Sequence, residues 1–141
     1  MMGHGVSIGE ASKASGIKVP TIRYYEQIGL MPETARTEGN RRLYDEADLQ
    51  RLRFIRHSRE LGFEVEAIRQ LLELSDHPSR SCADADAIAR THLADIDHKI
   101  ARLTALREEV VRMTDCPRDT VAHCRVIEVL GDHGECLHER H

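Results

Sequence analysis

Pro20-Thr21-Ile22-Arg23-Tyr24-Tyr25-Glu26-Gln27-Ile28-Gly29-Leu30 is the stretch whose reading decides the fold. Proline suits the first turn of a helix, where its missing N–H would have no partner, and glycine accepts the left-handed backbone that ends one. The spacing therefore predicts a short helix over Thr21 to Ile28. Upstream, Ser7-Ile8-Gly9-Glu10 fits the S-x-x-E capping box, so an earlier helix starts there and stops near Gly16. Two short helices joined by about three residues form a helix-turn-helix.

Beyond Leu30 the chain reads as a turn and a small hairpin. Glu38-Gly39-Asn40 supplies the reversal and Arg41-Arg42-Leu43-Tyr44 the return strand. Asp45 caps a third helix with Leu49, Leu52, Phe54, Ile55 and Leu61 on its apolar face, and Gly62 breaks it. Val65, Ile68, Leu71 and Leu72 mark a fourth helix that ends before His77-Pro78-Ser79. From Ala83 to Met113 there is neither glycine nor proline. Leu93, Ile96, Ile100, Leu103, Leu106, Val110 and Met113 are spaced 3, 4, 3, 3, 4 and 3 apart, close to a coiled-coil seam. One narrow apolar stripe cannot bury itself, and a second copy of the chain is the simplest partner.

Composition bounds the function. The 141 residues are 40% hydrophobic and 31% charged, as in an ordinary folded domain with an extension. No apolar run approaches the roughly 20 residues that span a bilayer, and Met1-Met2-Gly3-His4-Gly5 begins no signal pattern, so a cytoplasmic protein is expected. In that reducing compartment Cys82, Cys116, Cys124 and Cys136 are thiols or metal ligands rather than a disulfide framework. The net charge of −4 is split: residues 1–60 hold 10 basic against 8 acidic side chains, and residues 61–141 hold 10 against 16. An acidic total argues against indiscriminate nucleic-acid binding, while leaving room for local basic contacts. All five aromatics (Tyr24, Tyr25, Tyr44, Phe54 and Phe63) fall in the first 63 residues, which puts the compact core there and an extended element after it.

In this order, the Thr21–Glu26 helix, the Arg42-Leu43-Tyr44 wing, Leu52-Arg53-Phe54-Ile55-Arg56, Leu61-Gly62-Phe63 and the long helix closely resemble the MerR family of transcriptional regulators. The resemblance implies a mainly α fold. A winged helix-turn-helix DNA-binding domain with connecting helices would occupy 5–75, an antiparallel coiled-coil dimerisation helix 81–114, and a metal-binding loop and tail 115–141. Thr21, Arg23 and Tyr24 on the second helix would reach base edges and phosphates in a major groove, with Arg41, Arg42 and Tyr44 as a second phosphate grip. The implied partners are a second copy, a palindromic operator in double-stranded promoter DNA, and RNA polymerase.

Asp115-Cys116-Pro117-Arg118-Asp119-Thr120-Val121-Ala122-His123-Cys124 carries two thiols on a short polar stretch. Cys82 lies 34 residues before Cys116, a distance of about 45–50 Å along a helix, so one chain cannot join them. Two antiparallel copies can, placing Cys82 of one beside Cys116 and Cys124 of the other. This is similar to the metal-sensing branch of the MerR family. Copper, silver and gold sensors there generally have serine at the position matching Cys82. A third thiolate favours a divalent ion: zinc, cadmium, lead or mercury. The seven residues between Cys116 and Cys124 match the copper-sensor loop instead, so copper(I) stays as the alternative. His123 could add a nitrogen ligand, and Cys136, in the His- and Glu-rich tail, a further thiol.

The family mechanism implied is a population shift between two dimer shapes, weakened at low pH because thiolates must lose protons, that activates a metal efflux or resistance promoter. Two other classes remain. Cys116 and Cys124 could form a redox switch, although no tight C-x-x-C-x-C pattern is present; a cysteine hydrolase using His123 as base would need geometry that adjacent residues rarely supply.

Overall fold

The computed structural model describes residues 5–32, 42–114 and 120–131. They form two compact units, Met1–Ile88 and Ala89–His141. Helix is the dominant secondary structure, and among the described residues no strand longer than an isolated bridge occurs.

In the first unit, α1 (Ile8–Ser15) starts at the reciprocal cap expected of Ser7 and Glu10. The Glu10 N–H donates to Ser7 Oγ at 3.2 Å, and the Ser7 N–H donates to Glu10 Oε1 at 3.3 Å. Gly16 ends it at φ 77°, a left-handed backbone that side chains with a Cβ disfavour. α2 (Val19–Gln27) begins two residues before the expected start, with Pro20 in its first turn as expected. Its exit is Gly29, at φ 80°. α3 (Glu46–Glu60) opens on Asp45, whose carboxylate and that of Asp48 accept each other's backbone N–H. α4 (Val65–Ser75) follows Gly62.

These four helices close one core. Ile22 and Tyr25 of α2, Leu52 and Ile55 of α3, and Ile68 and Leu72 of α4 are buried together with Leu30, Met31 and Tyr44. The apolar face expected of α3 holds for Leu49, Leu52 and Ile55, with Phe54 partly buried. Leu61 is exposed instead. Although it continues the helical backbone, with its N–H on the His57 carbonyl, 3.6 residues per turn place it well around the helix from Leu49, Leu52 and Ile55, so the helical period itself turns it to solvent.

Tyr44 makes one antiparallel bridge to Val6, each residue's N–H donating to the other's carbonyl at 2.9 and 2.8 Å. The segment after the wing is thereby tied to the start of α1. The reversal at Glu38-Gly39-Asn40, and Arg41 with it, lie outside the described residues.

α5 (Ala83–Met113) is a single helix of 31 residues, about 46 Å long at 1.5 Å per residue. Most of its expected seam is open to solvent, with Leu93, Ile100, Leu103 and Val110 at 55, 56, 65 and 55% exposed, whereas Leu106 is half-buried and Met113 is buried. In the second unit a 3-10 turn (Val121–His123) leads into α6 (Arg125–Gly131), a helix where loop and tail are expected. Arg125 donates from its guanidinium to the Arg112 carbonyl at 3.1 Å, fastening the start of α6 to the last turn of α5. Among the described residues no helix is long and apolar enough to cross a membrane.

Candidate DNA interface and metal-ligating cysteines

The α1–α2 pair is a helix-turn-helix whose second helix has two distinct faces. Ile22, Tyr25 and Glu26 turn inward at helical spacing, and Arg23, Tyr24 and Gln27 turn outward. Tyr24 is half-exposed and Arg23 exposed, so both can reach a nucleic acid; Thr21 is partly buried, with its N–H on the Lys18 carbonyl at 2.9 Å. The neighbouring Tyr25 ring lies in the core, 6.0 Å from that of Tyr24 and tilted by 48°.

Among the wing residues, Tyr44 departs from the expectation. Tyr44, expected to grip phosphate, is fully buried, and its hydroxyl donates to Glu26 Oε2 at 2.7 Å. A large amphipathic ring gains more from the core than from a surface contact, provided that its hydroxyl finds a partner. Arg42 is half-exposed and its guanidinium is ion-paired with Glu26 Oε1. Arg41 lies outside the described residues.

Three positioning groups lie outside the expected site residues. Glu26 was legible as an acidic residue four positions after Ile22, hence on the buried face. Arg51 and Arg56 of α3 were not, because their partners are backbone carbonyls distant in sequence. Arg51 Nε donates to the Leu30 carbonyl at 2.9 Å, and the Arg56 guanidinium to the Ser15 carbonyl at 3.4 Å.

The two described cysteines occupy equivalent local positions. Cys82 immediately precedes α5, its carbonyl accepting the Asp86 N–H at 2.9 Å. Cys124 immediately precedes α6, its carbonyl accepting the Glu128 N–H at 3.0 Å. Cys82 is exposed and Cys124 half-buried, and both are free thiols. Cys82 is among the residues lining a cleft of about 300 Å³, with apolar Phe54, Leu71, Leu74 and Ala85 and polar His77 and Arg80. His123 is exposed on the 3-10 turn beside Cys124. Cys116 and Cys136 lie outside the described residues. Among the described residues of one chain, no three His, Cys, Asp or Glu side chains gather closely enough to hold a metal.

A helix-turn-helix joined to a long helix with an open seam defines a dimeric DNA-binding regulator, and the chain belongs to the MerR family. Residues 6–75 match the MerR HTH family regulatory protein description, and residues 49–113 match MerR, DNA binding. It is 41% identical over 128 residues to heavy metal-dependent transcription regulator 2 of Rhizobium meliloti (strain 1021), covering 90% of this chain and 87% of that one. It is 39% identical over 127 residues to the HTH-type transcriptional regulator ZntR of Escherichia coli (strain K12), covering 87% and 90%. The crystal structure of the transcription regulator PbrR691 from Ralstonia metallidurans CH34, in complex with lead(II), is similar at a TM-score of 0.77 and 41% identity, covering 89% of this chain and 98% of that one. The chain is a metal-responsive transcription regulator that binds promoter DNA as a homodimer, and not an enzyme.

Proposed function

We propose that this regulator, working in the cytoplasm, responds to a divalent soft metal ion (zinc, cadmium, lead or mercury) held by Cys82 of one chain and Cys116 and Cys124 of the other. The observation that carries the reading is Cys82 itself: an exposed thiol immediately before a 31-residue helix whose apolar seam is mostly exposed. Antiparallel pairing along that seam sets the start of one helix beside the end of the other. The lead(II) complex of the 41%-identical PbrR691 supports a divalent ion.

The donor set fits such an ion. Thiolate sulfur prefers soft and borderline cations, and three thiolates exceed the two that copper(I) needs. When bound, the ion supplies a cross-link between chains. Arg125 and its bond to the Arg112 carbonyl keep Cys124 close to the end of α5, so that a tie to the partner's Cys82 bears on both dimerisation helices. A dimer shape in which these thiols meet is favoured by its higher affinity for the ion, and the shift re-spaces the two DNA-binding units. The outcome is activation, with RNA polymerase, of a promoter for metal efflux or resistance. Thr21, Arg23 and Tyr24 face the operator, with Arg41 beside them; His123 and Cys136 are candidate further ligands. The seven-residue spacing of Cys116 and Cys124 keeps copper(I) as the second reading.

Metal titration of mixed dimers tests this. Cys82→Ser abolishes tight divalent binding, and so does the pair Cys116→Ser with Cys124→Ser. A heterodimer of the two variants regains one site per dimer only when the ligands come from different chains. If it regains none, the ligands share a chain. If copper(I) binds tightest and Cys82→Ser changes nothing, the copper reading holds.

A further inference from the structure

We propose that Glu26 is the positioning residue of the DNA interface. It locks Arg42 and Tyr44, at the exit of the wing, to the recognition helix and withholds the charge of Arg42 from the phosphate backbone. The proposal rests on the reading of α2 as the helix that faces DNA.

Glu26 is the penultimate residue of α2, and its side chain is 7% exposed. A carboxylate is doubly disfavoured there, by burial and by the partial negative charge at a helix C-terminus. It persists through one ion pair and one hydrogen bond: the Arg42 guanidinium is ion-paired with Oε1, a buried atom that accepts no hydrogen bond among the described residues, and Oε2 accepts from the Tyr44 hydroxyl at 2.7 Å. Both partners come from the segment that leaves the wing. Tyr44 is held at three further points, by its buried ring and by its two backbone bonds to Val6. The hub therefore joins the recognition helix, the wing exit and the strand-like segment before α1 into one rigid body.

Two consequences follow for recognition. A wing exit fixed relative to the helix lessens the ordering that these residues need on contact with DNA, which raises discrimination between sequences. A guanidinium paired with a buried carboxylate also carries no net charge to the phosphates, so it displaces no counterion. Arg42 is thus an anchor, although its place in the wing suggests a phosphate grip.

The test uses the full-length dimer and a duplex enriched by the wild type from a random-sequence pool, with a scrambled duplex as the comparison. Binding is measured across a salt series. Arg42→Gln leaves the slope of log K against log salt unchanged. Glu26→Gln keeps an acceptor for Tyr44 but frees Arg42; it steepens the slope by about 0.9 per chain, one phosphate contact each. Glu26→Gln and Tyr44→Phe both lower the ratio of selected to scrambled affinity by about tenfold, with the unfolding transition checked by circular dichroism. A slope that flattens by about 0.9 per chain in Arg42→Gln makes Arg42 a phosphate contact and overturns the proposal. An unchanged affinity ratio in both Glu26→Gln and Tyr44→Phe also overturns it. A wild-type dimer that enriches no duplex overturns the DNA-facing reading of α2, and this proposal with it.

Discussion

Arg51 of α3 donates its Nε–H to the carbonyl of Leu30, 2.9 Å away, just past the exit of α2. Further along the same helix Arg56 reaches the Ser15 carbonyl at the end of α1. One helix thus grips the chain on both sides of the recognition helix, and the turn geometry at Gly16 and Gly29 is fixed from behind.

Arg51→Met should therefore destabilise the chain by about 1–3 kcal/mol in urea unfolding, since the part-buried Leu30 carbonyl loses its donor. Arg51 also pairs with Asp76 at 3.4 Å, but that carboxylate is 57% exposed. Asp76→Ala should then change stability by no more than about 1 kcal/mol. Equal losses in the two variants would assign the effect to the ion pair instead.

Local signals made the helices readable. The Ser7–Glu10 box, Asp45, and the glycines at 16, 29 and 62 mark ends whose geometry depends on neighbours in sequence. The α5 seam was readable because a long uninterrupted period has no other use. What depended on tertiary context was not: Tyr44 looked like a surface contact because its partner Glu26 lies 18 residues away. α6 was missed because seven residues give barely two turns, although Val126, Ile127, Val129 and Leu130 carry the pattern. At the cysteines, residue type and spacing were legible, whereas the conformation around Cys124 was not.

Gly16 offers a sharper test of the α3 grip. Its φ of 77° disfavours any Cβ, at about 1–2 kcal/mol, and a Cβ there would meet the Arg56 guanidinium at 2.2 Å. Gly16→Ala should lose more than the backbone term alone, because Arg56 must leave the Ser15 carbonyl. In the double variant with Arg56→Ala the two losses should be less than additive, a coupling that a double-mutant cycle of unfolding free energies reads directly.

Asp48 links stability to pH in an unusual direction. Burial pushes its carboxyl above the ordinary 3.8, and the like charge of Asp45 adds to this, against the Asp45 backbone N–H and Arg51, which lower it. A folded-state value above the unfolded one means that the folded chain holds the proton more tightly. The stabilising contribution is full below 3.8 and is lost as pH rises through the folded value. Asp48→Asn keeps an acceptor for the Asp45 N–H without the charge. It should match or exceed wild type in melting temperature at neutral pH, with the advantage vanishing below pH 3.8. A variant less stable at neutral pH would show that the carboxylate's cap outweighs its desolvation.

The dimer seam can be broken without touching either DNA-binding unit. Leu103 is 65% exposed in the single chain and lies near the middle of α5, so Leu103→Asp adds a charge that the monomer leaves in water. Pairing would bury that charge without a partner. The expected penalty is about 3 kcal/mol or more per buried carboxylate, at least a hundredfold in the dimer dissociation constant by sedimentation equilibrium. Ala101→Asp, on the opposite side of the helix, should leave that constant within about threefold of wild type, as expected for a surface change. Metal binding should fall with dimerisation in Leu103→Asp and persist in Ala101→Asp, because Cys82 and Cys124 of one chain would then have no partner chain to complete the ligand set. If monomeric Leu103→Asp kept full-affinity metal binding, the cysteines would be acting within one chain.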